Sequence, residues 1–401
     1  MTSPERPGAL RPGPAARRAR AAVAALFFTN GAVFASVVPR YPDVKEHLGL
    51  SNAGLGSAVA AFWLGALLVG FGGGLVVSRW GSGRVATAVT LGACANLVVV
   101  GLAGSWWSFA AALFVAGSLD TVADIAENAH ALRVERLYRR SILNSLHAVW
   151  SIGAVTGGVF GSAAAGGDVP PVVHFSIVAV VLGLVASTAS RFLLTGEDGR
   201  PAGPLARPGA APAPVRRRVR LGVGVLVLGC LATLAQGIED TGATWSGVYL
   251  REGLGAAPAV GGLAFAALQS MQTLGRLVGD RLVTRWGDPL VAGAGAALAG
   301  VSVGAALAVP STAGTIAAFG AAGLGIATMI PAAMRYADGL PGLRAGVGLS
   351  LVGSVSRVGS LLAPPLIGAL ADTWTLRTGL LVVPAAALLL VLLSATIARF
   401  R

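Results

Sequence analysis

The chain has 401 residues, of which 55% are hydrophobic and 12% are charged, and its mean hydropathy is +0.75. A soluble globular protein carries about 25% charged residues, so roughly half of the usual solubilising charge is missing. This composition excludes a soluble enzyme and a disordered scaffold, and it indicates an all-α, polytopic membrane protein. The net charge of +13 must then be explained by where the basic residues lie.

Apolar stretches long enough to cross a bilayer recur from residue 21 to the end of the chain. A transmembrane helix needs about 20 residues, and these continuous runs lack the alternating pattern of a β-barrel. We therefore predict twelve transmembrane helices. They are expected at 21–38, 53–77, 85–103, 107–131, 142–165, 171–194, 221–246, 258–279, 289–309, 313–334, 345–368 and 376–398.

Basic residues collect in the loops on the side of the N-terminus, whereas the loops on the other side carry almost no net charge. Because positively charged loops stay in the cytoplasm, we expect both termini to be cytoplasmic. The positive charge of the chain is then a signal of topology, and it gives no reason to expect a nucleic-acid partner.

The longest predicted connection is rich in proline, glycine and arginine and lies in the middle of the chain. This composition predicts an extended cytoplasmic linker that can contact anionic lipid. The linker divides the chain into two predicted six-helix bundles. The predicted parts are a cytoplasmic tail at 1–20, an N-terminal bundle at 21–194, the linker at 195–220, a C-terminal bundle at 221–398 and a cytoplasmic C-terminus at 399–401.

The two predicted bundles share a sequence repeat at an offset of 206 residues. The stretch 77–81, Val-Ser-Arg-Trp-Gly, recurs at 283–287 as Val-Thr-Arg-Trp-Gly. A constant offset indicates an internal duplication, in which two bundles face each other across a central cavity. The same offset relates Asn30 to Gln236, Gly73 to Gly279, and Gly153 to Gly359.

The loop after the second span resembles the loop signature of the major facilitator superfamily, Gly-x-Leu-x-Asp-Arg-x-Gly-Arg. Among the positions that depart from it, Ser78 stands where the acid is expected and Val76 where the leucine is expected. In that superfamily the loop gates the cytoplasmic side, so the missing acid leaves that function in question here. The residues of this candidate gating loop and of its repeat are Gly74, Arg79, Gly81, Arg285 and Gly287.

Longer stretches resemble a little-characterised bacterial branch of the superfamily, which is YbjJ-like and shares features with fucose-permease-like sugar transporters. These stretches are 128–136, 144–153, 239–245 and 275–281. The resemblance implies the major facilitator fold, with two pseudo-symmetric six-helix bundles, in a bacterial inner membrane. It also implies a monomer that moves a small molecule with the proton gradient as its energy source and without a cofactor or metal.

Acidic residues inside the predicted spans are functional candidates, because a charged side chain at bilayer depth costs ~2.5–3.5 kcal/mol on insertion scales. Asp120, Asp124 and Glu127 lie at i, i+4 and i+7 of the fourth span, and therefore on one helical face. Acids this close together do not all ionise easily, so Asp120 and Asp124 are candidate proton carriers. The alternative is that Asp124 and Glu127 only pair with basic residues near the end of the span.

The fifth and seventh spans add three further candidates for proton coupling. Glu239 and Asp240 are adjacent in the seventh span, where successive residues are about 100° apart and face different neighbours. His147 is a candidate proton relay because the ordinary pKa of histidine is close to neutral. Its alternative role is helix packing, with a hydrogen bond to Asn144 or to a nearby carboxyl.

The eleventh span carries Arg357 near its middle, with no acid close to it in sequence. An unpaired guanidinium at this depth would be costly, so we expect its partner to be Asp120, Glu239, Asp240 or an anionic substrate. Arg276 in the eighth span is expected to pair with an acid on the cytoplasmic side. The remaining candidates for the wall of the cavity are Asn30, Trp63, Trp150, Gln236, Gln269 and Gln272.

Together these patterns predict a secondary active transporter that works by alternating access and is coupled to protons. The acids and the glycine-rich fifth span slightly favour export of a drug or metabolite, whereas the carboxamides favour the alternative, uptake of a polar, sugar-like solute. The sequence contains no zinc-protease motif and no nucleotide-binding loop. A membrane-embedded enzyme and a non-transporting receptor are therefore remote alternatives.

Overall fold

The computed structural model describes residues 13–138, 141–196, 215–340 and 347–396. Within these ranges the regular elements are helices and short helical turns. Most of the predicted linker and the ends of both predicted tails lie outside the described residues. The helices are α1 (Pro14–Val37), α2 (Tyr41–His47), α3 (Asn52–Trp80), α4 (Ser82–Gly101), α5 (Trp106–Tyr138), α6 (Leu143–Gly166), α7 (Pro171–Ser190), α8 (Val215–Val248), α9 (Leu263–Trp286), α10 (Asp288–Ala308), α11 (Thr312–Ile326), α12 (Met329–Asp338), α13 (Val347–Thr373), α14 (Leu376–Gly379) and α15 (Val382–Ser394).

Several helices are longer than their predicted spans. The first begins at Pro14 instead of residue 21, and α5 and α9 end seven residues beyond the predicted ends at 131 and 279. Hydropathy detects only the part of a helix that lies in hydrocarbon, whereas a charged helical end continues into water. Proline at the first helical position also starts α1 without the loss of a hydrogen bond.

Eleven helical segments of the described chain are long and apolar enough to cross a membrane. The twelfth, α9, has 24 residues but carries Arg276, Asp280, Arg281 and Arg285, and these charges lower its mean hydropathy. The tenth and twelfth spans are each built from two consecutive helices, α11 with α12 and α14 with α15. Twelve helical segments are therefore present, and one of them is unusually charged.

The two halves repeat the same helix pairings. α1 packs on α6 as α8 packs on α13, α3 packs on α5 as α9 packs on α11, and α4 packs on α7 as α10 packs on α15. Gly153 approaches the backbone of Phe28 in the first half, and its counterpart Gly359 approaches Thr233 in the second. The offset of 206 residues in the sequence therefore corresponds to equivalent contacts in space.

The repeated loop has the same backbone conformation in both halves. Gly81 has a φ of 84° between α3 and α4, and Gly287 has a φ of 81° between α9 and α10. Each amide also donates to the carbonyl four residues earlier, from Gly81 to Val77 and from Gly287 to Val283. A positive φ is inexpensive for glycine only, which explains why glycine occupies this position in both copies.

The substitution Gly81→Ala is expected to destabilise the protein by about 1–2 kcal/mol, because a Cβ is strained in the left-handed region. Gly287→Ala should cost a similar amount, whereas Gly74→Ala, inside α3 with no atom near its added Cβ, should not destabilise the protein. Thermal unfolding of the three purified variants would measure this. Equal midpoints for Gly81→Ala and Gly74→Ala would contradict it.

The two halves meet along α3 against α13 and along α6 against α9. We call the end of the bundle at which α1 begins and α15 ends the terminal end, and the other end the opposite end. The contact between Gly56 of α3 and the Pro364 carbonyl of α13, and the contact between Gly166 of α6 and Ala259, both lie toward the opposite end. The halves are therefore most closely packed there.

Candidate functional site

Ion pairs join the two halves at the opposite end. Asp43, at the start of α2, pairs with Arg40 of its own half at 2.5 Å and with Arg251 of the other half. Lys45 pairs with Glu252 across the same boundary at 2.5 Å. All ion pairs that join the two halves within the described residues lie at the opposite end of the bundle. We call Arg40, Asp43, Lys45, Arg251 and Glu252 the ionic latch.

Backbone contacts reinforce the closure beside the ionic latch. Asp372, at the end of α13, accepts hydrogen bonds from the backbone amides of Asn52 and Ala53 at 2.9 and 2.8 Å, and thereby caps α3 of the other half. A Cβ on Gly262 would lie 2.2 Å from the Ser162 hydroxyl of α6. No space for a solute therefore separates these segments.

Polar side chains near the terminal end remain accessible between the halves. Asp124 on α5 and His147 on α6 are exposed in the first half, and Arg276 on α9 is exposed in the second. The charges of His147 and Arg276 are close enough to interact. The passage between the halves is thus closed at the opposite end, and ionisable groups line it toward the terminal end.

Asp120 lies in the first half beside a hydrogen-bonded pair, Trp150 and Asn30. The Trp150 indole donates to the Asn30 carbonyl oxygen at 2.8 Å. This fixes the orientation of the Asn30 carboxamide, which lines the same cavity as Asp120. The structure therefore brings together three sequence-predicted residues from α1, α5 and α6.

Arg357 reaches across the boundary from α13 to this cluster. A Cβ on Gly70 of α3 would lie 3.5 Å from the Arg357 Nη1 atom and 3.7 Å from the Thr121 methyl group. The charge of Arg357 acts on both Asp120 and Asp124. No carboxylate of the described residues lies within 4.0 Å of it, so the charges interact without a direct ion pair.

Asp124 and His147 are linked through Asn128, a residue that the sequence analysis did not select. The Asn128 amide donates to the Asp124 carboxylate at 2.7 Å, and its carbonyl oxygen lies 3.2 Å from the His147 Nε2 atom. His147 therefore contacts Asn128 and not Asn144, and it also packs edge-on against the Phe27 ring. The spacing of Asp124 and Asn128, i and i+4 on one helix, is the sequence signal for this link.

Glu127 has a different environment from the other two acids of α5. It is only 1% exposed, and it accepts a hydrogen bond from the Thr90 hydroxyl of α4 at 3.3 Å. It therefore lies inside the first half and has no ion pair with the described basic residues near the end of the span. The helical spacing placed it on the same face as Asp120, but the packing of α4 against α5 covers it.

The adjacent acids of α8 face different neighbours, as their spacing predicts. Asp240 is 7% exposed, accepts a hydrogen bond from Gln236 at 2.9 Å and lies beside Ser360 of α13. Its charge also acts on the buried Tyr41 hydroxyl of the other half. Gln236 therefore forms a hydrogen bond within its own helix. Neither Ser360 nor Tyr41 has a sequence signal that would have identified it.

Glu239 faces α9 instead. It accepts hydrogen bonds from the side-chain amides of Gln269 at 3.2 Å and Gln272 at 2.7 Å. Both glutamines are 1% exposed, so they lie behind Glu239 instead of forming the cavity wall expected from the sequence. Glu239 itself is half-buried. The two glutamines thus hold its carboxylate in place.

Aromatic rings surround Trp150 in the first half. The Phe34 ring lies 6.3 Å from the Trp150 ring and 5.8 Å from the Phe62 ring, and Phe62 lies 5.3 Å from Trp63. Phe34 is one helical turn from Asn30, and this spacing could have identified it. The predicted Trp63 is therefore connected to Trp150 through two phenylalanines that the sequence analysis did not select.

The candidate gating loop lies at the terminal end. Gly74, Arg79 and Arg285 are exposed there, and the Arg285 guanidinium stacks 5.5 Å above the Trp286 ring. The loop glycines Gly81 and Gly287 have the positive φ described above.

The whole chain has relatives among known transporters. It is 30% identical over 364 residues to the uncharacterized transporter y4wD of Sinorhizobium fredii (strain NBRC 101917 / NGR234), a match that covers 88% of this chain and 92% of the relative. The chain belongs to the major facilitator superfamily of transporters. An uncharacterized MFS-type transporter of Yersinia pestis is 25% identical over 346 residues, which cover 86% of this chain and 87% of the relative.

The fold of this superfamily member is also found in solved structures. A bacterial homologue of the human lysosomal transporter Spinster, in an inward-facing and unoccupied conformation, superposes with a TM-score of 0.75 at 13% identity, and the match covers 96% of this chain and 98% of that one. No family model matches the chain. The protein is therefore an all-helical, multi-pass membrane transporter with two pseudo-symmetric six-helix bundles.

Proposed function

We propose that this transporter moves a small molecule by alternating access and couples the movement to protons through Asp120 and Asp124. The observation that carries the proposal is the position of Arg357, whose charge comes from one half and acts on two acids of the other. Protonation of either acid weakens its attraction to Arg357. The electrostatic attraction between the two halves then depends on proton binding. Proton binding can therefore shift the equilibrium between the conformations open to either side.

His147 supplies a proton acceptor in the exposed part of the passage, and Asn128, whose amide neither gains nor loses a proton, links it to Asp124. His147 is exposed toward the terminal end, and Asn128 bridges it to Asp124. An imidazole can accept a proton on one nitrogen and release one from the other. We therefore assign His147 the role of a relay between the open passage and Asp124.

We further propose that the protein lies in a bacterial inner membrane with the terminal end in the cytoplasm, in accordance with the basic loops on that side. The closed ionic latch then makes this the inward-facing state. The resemblance to the YbjJ-like branch supports this location. A monomer is sufficient for this mechanism, because both faces of the passage come from one chain. Anionic lipid is expected at the arginine-rich linker.

Export is the favoured direction, and proton-coupled uptake of a polar, sugar-like solute is the alternative. The carboxamides that favoured uptake are occupied by protein partners, since Asn30 bonds Trp150, Gln236 bonds Asp240, and Gln269 and Gln272 bond Glu239. Proteoliposomes with an imposed pH gradient would distinguish the two directions, because an exporter and a symporter move solute oppositely relative to the proton.

Neutralising the charge pair tests the mechanism. Asp120→Asn and Arg357→Gln are each expected to lower proton-coupled transport about tenfold, which corresponds to ~1.4 kcal/mol, because each removes one of the charges that interact across the boundary. The measurement is the flux of a compound library into or out of proteoliposomes at imposed pH gradients, together with the accompanying proton flux. The matched control is Arg17→Gln, because Arg17 is an exposed arginine at the start of α1. Wild-type coupling in both test variants would refute the proposed mechanism.

A further inference from the structure

We propose that Glu239 binds the positively charged amino group of an organic substrate, and that the rings around Trp150 hold its apolar part. The inference rests on the proposed transport function, since it places a substrate in the passage between the halves. It assigns to Glu239 a role in substrate binding that is separate from the proton site at Asp120 and Asp124.

The side chains that donate hydrogen bonds to Glu239 are neutral. Its two hydrogen-bond donors, Gln269 and Gln272, are neutral amides. No basic side chain of the described residues lies within 4.0 Å of the Glu239 carboxylate. Asp120 and Asp124, by contrast, both lie within the influence of Arg357. Glu239 therefore has donors that orient it and no described basic side chain in direct contact with it.

The side-chain oxygens of Gln269, Gln272 and Glu239 are hydrogen-bond acceptors. The side-chain oxygens of Gln269 and Gln272 are buried and have no hydrogen-bond donor in the described structure. These oxygens lie behind Glu239, so the half-buried carboxylate is the acceptor that a solute in the passage can reach. A protonated amine provides up to three donors and one positive charge, which complements this carboxylate. A hydroxyl group would supply one donor and no charge.

The register of α6 against α9 gives the depth of Trp150 in the bundle. Helices α6 and α9 run antiparallel, with Gly158 against Phe265 and, about three turns nearer the terminal end, His147 near Arg276. This register places Trp150 at the level of Gln272. Glu239 and Trp150 therefore lie at the same depth, on opposite halves of the passage.

Together these groups favour a cation with an apolar or aromatic body. Aromatic rings pack favourably against an apolar or aromatic group, and the cluster of Phe34, Phe62, Trp63 and Trp150 comes from three helices of the first half. A carboxylate substrate would be repelled by Glu239. A neutral alcohol of the same shape would keep the ring contacts but lose the charge interaction.

The test is direct binding of 1-naphthylmethylamine to the full-length protein in lipid nanodiscs, measured with the tritiated compound. Its neutral and anionic analogues, 1-naphthylmethanol and 1-naphthoate, serve as competitors. We expect the amine to bind about 10-fold to 100-fold more tightly than the alcohol, which is the ratio expected for a hydrogen bond to a charged group. Naphthoate should not compete.

Three variants assign the preference to Glu239. Glu239→Gln should lose the preference for the amine, and Glu239→Asp should retain part of it. Asp280→Asn removes an equal charge from an exposed position on α9 and should leave binding unchanged. Retention of the preference in Glu239→Gln, equal binding of amine and alcohol to wild type, or no binding of the amine would each overturn the inference.

The outcome is separable from that of the transport experiment. Proton-coupled flux of neutral or anionic compounds, with no flux of amines, would remove the role of Glu239 and leave transport intact. Amine binding that depends on Glu239, without any proton-coupled flux, would retain the site and remove the proposed coupling.

Discussion

Arg251→Gln is expected to open the opposite end of the protein. Arg251 pairs with Asp43 across the boundary and lies 3.9 Å from Glu46 of the same half, so the substitution removes the positive charge that links the second half to α2. The Arg251 and Asp43 side chains are only 16% and 18% exposed. Loss of such a partly buried pair should cost the closed state about 1–3 kcal/mol, which changes the ratio of closed to open molecules about 5-fold to 150-fold.

The measurement uses Ser162, which is 2% exposed and lies against Gly262 of the other half. A Ser162→Cys reporter in a chain whose Cys94 and Cys230 are replaced by alanine should react slowly with a soluble maleimide. Arg251→Gln should increase its rate of labelling. An unchanged rate would show that the ionic latch does not hold this end closed.

A charge exchange in the same latch supplies the control. Lys45→Glu should accelerate labelling, because position 45 of this variant carries an acid that faces the acid Glu252. Combining it with Glu252→Lys should restore slow labelling, since the pair is re-formed with its charges exchanged. Failure of the double variant to recover would indicate that the single substitution acts by disrupting the local fold.

Gly65→Ala is expected to destabilise the packing of α3 against α5, whereas Gly72→Ala on the same helix is not. A Cβ on Gly65 would lie 2.1 Å from the backbone carbonyl oxygen of Phe114, which cannot move without displacing α5. Overpacking of this kind costs about 1–3 kcal/mol. Gly72 has no atom within 4 Å of an added Cβ, and alanine there should raise helix stability by up to about 1 kcal/mol.

Thermal unfolding of the two variants in the same detergent gives the comparison. We expect the midpoint of Gly65→Ala to fall below that of the wild type and the midpoint of Gly72→Ala to equal or exceed it. Since both substitutions exchange the same residue types on one helix, propensity contributes equally to both. A lower midpoint for Gly72→Ala would show that helix propensity and local packing do not account for stability here.

The periodic features of the chain were predictable because they repeat in sequence. Twelve helical segments follow from hydropathy, and the offset that relates Gly81 to Gly287 also relates their backbone conformations. The ends of the helices were not predictable in this way. Hydropathy reports transfer into hydrocarbon, so it stops short of the charged turns with which α5 and α9 end.

The partners of the intramembrane charges were only partly predictable. Asp120 was among the partners expected for Arg357, but Asp124 was not, and Asn128 had no assigned role. Helical spacing gives the face on which Glu127 lies relative to Asp120, yet it does not indicate that α4 covers that residue and leaves Asp124 exposed. Such outcomes depend on how neighbouring helices rotate and pack.

The sequence by itself determined that this protein crosses a membrane, that its halves are duplicated and which residues carry charge at bilayer depth. These properties are local, because they depend on composition, on periodicity and on the cost of placing a charge in lipid. Only the tertiary structure decided which charges meet. The ionic latch joins residues about two hundred positions apart. The packing of the helices around Glu239 leaves it without a contacting basic side chain among the described residues, which no local pattern records.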